Sequence, residues 1–351
     1  MSKFFKRSEL VPYTPGEQPK DMQYIKLNTN ESPFPPSPKA IEYAGKAAEM
    51  LNLYPDPQCS ELNAVLAEKL GVSSDEILLT NGSDEILNFA FMAFCEKGKK
   101  AYFPNITYGF YSVFADLNGI EYEEIPLNED FTIDIEKYFG KNGTIFIANP
   151  NAPTGIALSL SEIEQILQNN PENVVVIDEA YVDFGTESAV SLIPKYDNLL
   201  VTQTFSKSRS MAGARLGFGI AQKSLIADLN TIKYSTNPYN INRMTMAAGL
   251  GTVKDDEHNL KNCRTIVENR EYLCKNLKKL GFVFTDSAAN FVFAMHPEKD
   301  GKEIYLELKK AGILVRHFDK TEITQYNRIT IGTKEQTDAL ICALKTILEG
   351  K

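Results

Sequence analysis

Histidine is scarce in this sequence, and metal-binding spacing is absent. Only three histidines occur, His258, His296 and His317, with no HxxxH and no Cys/His cluster. A dedicated zinc site, which needs such spacing, is not expected. The cysteines, Cys59, Cys95, Cys263, Cys274 and Cys342, are odd in number, irregularly spaced and without a CxxC pair. That argues against a disulfide framework and predicts a reducing compartment, with the thiols serving as small buried hydrophobes. No run reaches the roughly 18 apolar residues that span a bilayer, and Met1 to Leu10 holds no apolar signal core. These absences predict a soluble cytoplasmic protein with no membrane partner. Basic excess is missing too. The net charge is -9, which argues against a general nucleic-acid binder but leaves room for a local pocket that takes a small anion. Neither GxGxxG nor GxxxxGK[ST] is present, and LGFGIA (216–221) is no substitute, so nucleotide binding is not supported.

What is present is ample apolar material. The chain has 351 residues, 43% of them hydrophobic, enough for about two domains. Prolines at 12, 15, 19, 33, 35, 36 and 38 keep residues 1–38 from forming a long helix. This stretch is expected to be an extended arm packed on something else. From residue 39 to about 254, short apolar strands alternate with helical patterns. Strands are expected at Ile77–Leu79, Lys100–Phe103, Tyr122–Ile125, Thr144–Ala148, Val174–Asp178, Leu199–Thr202 and Leu216–Ala221. The runs IFIA (145–148) and VVVI (174–177) are apolar throughout, as strands covered on both faces should be. The alternation predicts an α/β fold with a mostly parallel sheet flanked by helices. Residues 255–351 read instead as a small α+β domain. It opens on a long helix, Asp255–Leu280, and closes on another, Lys334–Leu348.

Ligands of open α/β sheets bind beyond the carboxyl ends of the strands, so those ends are where chemistry is sought. Asp178 ends one strand. It is either a helix cap or a partly buried carboxylate that needs a cationic partner, such as a protonated ring nitrogen. Lys207 follows another strand in TFSKSRS (204–210). A lysine among serines is ordinarily a solvated loop residue, but Thr204, Ser206 and Arg215 together form a phosphate-binding set, with arginine supplying a fork. The helix start at Gly82–Asp84 offers free backbone N–H groups as a second cradle. A lysine beside a phosphate site and opposite a strand-end carboxylate indicates a Schiff base to a phosphorylated aldehyde, which is pyridoxal phosphate chemistry.

The resemblance then becomes specific. The stretches LNTNESPFPPSP (27–38), YPDPQCSELNAVLAEKLGV (54–72), TNGSDEIL (80–87), NPNAPTG (149–155), VVVIDEAYVDF (174–184), TFSKSRSMAGARLGF (204–218), PYNIN (238–242), GILVR (312–316) and RITIGT (328–333) run through nearly the whole chain. In that order they resemble the fold-type I pyridoxal-phosphate enzymes of the aspartate aminotransferase superfamily, and within it the histidinol-phosphate aminotransferase family. The resemblance implies that Lys207 carries the cofactor and shuttles the proton. It implies that Asp178 pairs with the pyridine nitrogen, that Tyr181 donates to the ring's phenolic oxygen and that Tyr108 stacks on the ring. Ser83 and Asp84, by backbone, would hold the phosphate with Thr204, Ser206 and Arg215. Tyr54 would reach the cofactor phosphate of the other subunit, making a homodimer with shared active sites. Arg328 would bind the substrate's anionic end, assisted by Arg316, with Asn30 near the substrate. In one place the chain departs from the family. The NPTG asparagine that contacts the phenolic oxygen corresponds to Ala152, and its neighbour Asn151 is expected to take over. The implied reaction moves an amino group between histidinol phosphate and 2-oxoglutarate. An aromatic or broad-range aminotransferase and a threonine-phosphate decarboxylase resemble the chain on the same scaffold. A silent member acting only as a binding protein is the reading from a different class. Without the motifs, Tyr108 reads as packing, and Arg316 and Arg328 as strand-end ion pairs.

Overall fold

The computed structural model describes residues 2, 4–7 and 9–350. The first strand, β1 (Ile25–Lys26), lies in the proline-rich arm. It is followed by β2 (Ile77–Thr80), β3 (Ala101–Pro104), β4 (Tyr122–Ile125), β5 (Ile145–Ala148), β6 (Val175–Asp178), β7 (Leu199–Thr204) and β8 (Gly217–Ala221). These last seven form one sheet in the order β2-β8-β7-β6-β5-β3-β4. All neighbours are parallel except β8, which runs antiparallel to both β7 and β2.

The sheet is buried because its strands carry apolar groups on both sides. Ile145, Ile147, Val175, Ile177, Leu199 and Val201 fill one face, packed against Ile163, Ile166 and Leu167 of the Leu160–Gln168 helix. Phe146, Val176 and Leu200 fill the other, against Ile86, Leu87, Ala90 and Phe91 of the Ser83–Phe94 helix. This is the period of two expected of strands covered twice. The Leu160–Gln168 helix starts where sequence chemistry dictates: Ser159 and Glu162 form a capping box.

The remaining strands are β9 (Val283–Phe284), β10 (Phe291–Met295), β11 (Ile313–Leu314), β12 (Arg316–His317) and β13 (Asn327–Thr330). Four of them pair antiparallel in the order β12-β13-β10-β9. The Asp256–Lys279, Gly301–Lys310 and Lys334–Leu348 helices cover this sheet through a core of their own, including Leu273, Leu277, Leu308, Leu340 and Leu344. β11 and β12 are separated only by Val315.

The arm packs on two bodies: Arg7 donates to the carbonyls of Asp116 and Leu117 and the Tyr13 ring lies 4.3 Å from that of Phe110, while the rest of the arm meets this C-terminal part. β1 pairs parallel with β11, and Leu27 is buried in the C-terminal core. The helices Phe110–Asn118, Lys223–Thr236 and Arg243–Val253 were not individually visible in the apolar pattern. The five cysteines are free, and burial pushes the thiols of Cys59, Cys95 and Cys274 up to about 11.

Candidate active site

The carboxyl ends of β6 and β7 and the start of the Ser83–Phe94 helix converge on a cavity of about 350 Å³. Asp178, the last residue of β6, lines it and is only 4% exposed. Its carboxylate accepts from Thr202 Oγ1 at 3.0 Å and from Tyr111 OH at 3.1 Å. Both donors are neutral. Burial pushes the Asp178 carboxyl up to about 6, against the two hydroxyl hydrogen bonds. A carboxylate so placed is costly unless a cation meets it.

Lys207 follows β7 and lines the same cavity. Its Nζ donates to the Thr29 carbonyl at 3.2 Å and lies 5.8 Å from the Tyr181 ring centroid. The Tyr181 ring packs edge-on against Phe291 at 5.0 Å. The Tyr181 hydroxyl accepts from Asn30 Nδ2 at 2.9 Å, which leaves its own proton free to donate. Asn30 is itself fixed by Thr330, whose hydroxyl donates to Asn30 Oδ1 and accepts from its backbone N–H, both at 3.0 Å.

The other end of the cavity is an anion cradle. Thr204 and Ser206 hydroxyls lie 3.0 Å apart, and Arg215 Nη1 lies 3.5 Å from Ser206 Oγ. The first turn of the Ser83–Phe94 helix has no side-chain cap, so its N–H groups are available. Two glycines make room. A Cβ on Gly82, whose φ is +76°, would come within 2.6 Å of Arg215 Nη2, and one on Gly217 within 2.4 Å of the Ser83 nitrogen. Asp84 contributes by its side chain as well as its place in the turn. It accepts from Arg215 Nη2 at 3.1 Å and from Tyr108 OH at 2.6 Å, which aims the guanidinium and the Tyr108 ring.

A neighbouring cavity of about 400 Å³ shares Thr29, Tyr108, Ala152, Tyr181 and Lys207 with the first and adds Asn30, Arg316 and Arg328. Arg328 is half-buried, and loss of water around its guanidinium pulls its pKa down. Its Nη2 donates to the Asn28 carbonyl at 3.1 Å, while its buried Nε has no hydrogen-bond partner. Arg316 holds the arm, donating to the carbonyls of Pro15 at 3.4 Å and Thr14 at 3.5 Å.

Asn151 lies elsewhere than expected, and Tyr54 lines neither cavity of its own chain. Asn151 is 1% exposed and spent on scaffold: its Oδ1 accepts from Thr107 Oγ1 at 2.7 Å, and its Nδ2 donates to the Ile106 carbonyl at 2.9 Å and to Thr154 Oγ1 at 3.2 Å. It lines neither cavity, whereas Ala152 lines both. Tyr54 is 79% exposed and stacks on Tyr239 at 4.7 Å, outside both cavities. Sequence reasoning missed Thr202, Tyr111 and Thr330. Strand periodicity could have found Thr202, since it shares a strand face with Thr204 and is the register partner of Asp178.

The donor set fits pyridoxal phosphate: a cationless buried carboxylate for a ring nitrogen, a hydroxyl for the ring oxygen, a lysine amine, and a phosphate cradle. The comparisons point the same way. A family model described as aminotransferase class I and II matches residues 22–344. A histidinol-phosphate aminotransferase of Brachyspira hyodysenteriae is 50% identical over 350 residues, covering 98% of both chains. Another, from Acinetobacter baumannii, is 49% identical over 341 residues, 96% of this chain and 94% of the relative. In fold, the chain superimposes with a TM-score of 0.90 on the histidinol-phosphate aminotransferase of Sinorhizobium meliloti, solved in complex with pyridoxal-5'-phosphate. That match is 23% identical and covers 100% of this chain and 98% of that one.

Proposed function

The chain belongs to the class I and II aminotransferase family, and we propose that it transfers an amino group between histidinol phosphate and 2-oxoglutarate in histidine biosynthesis. It is a fold-type I, pyridoxal-phosphate-dependent enzyme. The observation that carries the reading is Asp178, a buried carboxylate without a cation on the wall of a cavity that also holds Lys207 and an anion cradle.

Pyridoxal phosphate, once bound, supplies the electron sink for the pair left when the substrate's Cα–H bond breaks. The chain's own residues would do the rest. Thr204, Ser206, Arg215 and the first turn of the Ser83–Phe94 helix hold the phosphate. Asp178 keeps the ring nitrogen protonated, which requires the carboxylate and not the acid at that atom. Tyr181, its oxygen engaged by Asn30, donates toward the ring oxygen. Tyr108, steadied by Asp84, covers the ring. Lys207 holds the cofactor through its amine and, when displaced by the substrate's amine, moves the proton from the substrate's Cα. Arg328, with Arg316, binds the anionic end of either substrate. Because the two substrates take turns in one site, one guanidinium pair serves both half-reactions.

Three further readings accompany this one. The separate cores support an arm at 1–38, a large domain at 39–254 and a small domain at 255–351. Ile41, Met50, Leu51, Leu53, Tyr54 and Tyr239 are exposed apolar or aromatic groups, which supports their burial in a homodimer. No helix among the described residues is long and apolar enough to cross a membrane, and free cysteines favour a cytoplasmic setting.

The test is a steady-state assay of the holoenzyme with histidinol phosphate and 2-oxoglutarate, and separately with threonine phosphate. Glutamate formation from the first pair supports the reading. Carbon dioxide release from threonine phosphate, with no glutamate formed from the first pair, overturns it.

A further inference from the structure

Lys207 and Tyr181 sit on separate segments, one after β7 and the other after β6. A single carboxylate joins those segments. Asp183, two residues beyond Tyr181, accepts through Oδ2 from the hydroxyl of Ser208 and from Arg209 Nη1, the latter at 3.3 Å. Ser208 and Arg209 are the two residues that follow Lys207. We propose that Asp183 is a positioning residue: it clamps the lysine-bearing loop to the tyrosine-bearing turn and so sets Lys207 against Tyr181 and the cofactor ring.

The two partners of the clamp have little slack, while the Asp183 side chain itself is 36% exposed. Ser208 is 4% exposed and Arg209 7%. The Arg209 guanidinium lies 5.0 Å from the Phe205 ring centroid and 6.0 Å from that of Phe218, and its Nη1 also donates to the Thr204 carbonyl and to Ser208 Oγ, both at 3.5 Å. On the other side, the Val182–Phe184 turn is anchored by Phe184, which is fully buried in the C-terminal core. Asp183 thus sits between two fixed bodies, and its oxygen is the point at which both are held. A second carboxylate, Glu179, closes the same segment one step nearer the strand. It accepts from Ser188 Oγ at 2.6 Å, from the Ala189 N–H at 2.6 Å and from Gln203 Nε2 at 2.8 Å, tying residues 179–189 to β7. The turn is therefore tied to β7 through Glu179 and Ser188 and to the lysine loop through Asp183, and only the Asp183 tie involves the neighbours of Lys207.

A residue that merely neutralised Arg209 would affect folding and nothing else. A clamp affects where the amine stands, which changes the proton-transfer step and the electronic surroundings of the bound cofactor but not the grip on the substrate's anion. The inference rests on Lys207 being the cofactor lysine, and the test separates the two. Holoenzyme variants Ser208→Ala and Asp183→Asn are compared with the parent for kcat, for KM toward histidinol phosphate, and for the pH midpoint of the bound cofactor's visible absorbance change. The clamp predicts a kcat lowered by roughly ten- to a hundredfold in Asp183→Asn, the scale of an ångström-sized misplacement. It predicts a smaller loss in Ser208→Ala, KM within about twofold because binding of the anion is untouched, and a displaced absorbance midpoint in both. Should Asp183→Asn not fold, Ser208→Ala decides, because it leaves the Asp183–Arg209 pair in place. An unchanged midpoint with parental kcat in a folded variant overturns the clamp, as does a rise in KM that accounts for the whole loss. Failure of borohydride to fix the cofactor on Lys207 in the parent overturns the underlying assignment instead.

Discussion

Arg316 and Arg328 are register partners, directly opposite each other across β12 and β13. Like charges so placed repel and destabilise the pair. Both guanidinium groups lie against the Phe318 ring, at 5.7 Å and 5.8 Å from its centroid. Both arginines line the cavity beside Lys207. An arrangement that costs the fold stability gains its purpose when a carboxylate or phosphate occupies the space in front of it.

Arg328→Lys should therefore lower kcat/KM for both substrates. A point charge replaces a bidentate fork, and the loss should be about 1.5–3 kcal/mol in transition-state terms, the size of a charge-assisted hydrogen bond. The cofactor's absorbance should stay as in the parent, since Arg215 lines the cavity with Asp178 and Lys207 and Arg328 does not. Steady-state kinetics of each half-reaction check this. Impairment of one half-reaction only would assign the other anion to Arg316.

Asp178→Asn should cost activity far more than folding. In the apo-protein the Asp178 carboxyl is pushed up to about 6 from an ordinary 3.8. The folded state thus holds the proton more tightly than the unfolded chain does. The stability this group contributes is fully present below about pH 4 and is lost as pH rises through about 6, a swing on the order of 3 kcal/mol. The parent apo-protein should lose stability over that window relative to Asp178→Asn, whose amide does not titrate. Adding pyridoxal phosphate should abolish the difference in slope, because the protonated ring nitrogen then meets the carboxylate. Thermal unfolding of both forms between pH 4 and 7 measures it. Parallel curves for the parent and variant apo-proteins would refute the argument.

Borohydride reduction of the holoenzyme followed by peptide mapping should place the cofactor on Lys207. Lys223 and Lys233 lie nearby in sequence but are otherwise engaged, Lys223 with Asp75 at 2.9 Å and Lys233 with the Pro57 carbonyl. A label on either would remove Lys207 from its role.

Asn151→Ala should act on stability and leave the cofactor's spectrum alone. The side chain makes three hydrogen bonds, two of them buried, and lines neither cavity. Leaving its partners unsatisfied should cost about 1–3 kcal/mol in chemical denaturation. A displaced absorbance maximum would show instead that Asn151 reaches the ring oxygen.

Mixing Tyr54→Ala protomers with Lys207→Ala protomers tests whether sites are shared. Each homodimer should be impaired. A random mixture should regain about a quarter of parental activity if a two-fold dimer forms and Tyr54 serves its partner's site, because half the dimers are mixed and half their sites complete. No recovery after verified subunit exchange would confine Tyr54 to its own chain or to packing.

The sequence alone determined much of this protein, because its strongest signals are local. Apolar runs long enough for one strand depend on neighbours within a few residues, and they appeared where the spacing put them. The lysine after β7, the carboxylate ending β6 and the hydroxyls with Arg215 were legible because each is tied to a strand end by a few covalent bonds. What the tertiary structure decided is every relation between distant segments. The insertion of β8 antiparallel between β2 and β7, the pairing of the arm with β11, and the opposition of Arg316 and Arg328 all bring together stretches whose own patterns name no partner. The same holds for Asn151 and Ala152. They are adjacent in sequence, and only the hydrogen bonds to Ile106, Thr107 and Thr154 settle which of the two is scaffold and which lines the cavity. Strand periodicity records whether a side chain is buried, but the direction it faces inside a buried loop is set by the donors and acceptors that packing brings within reach.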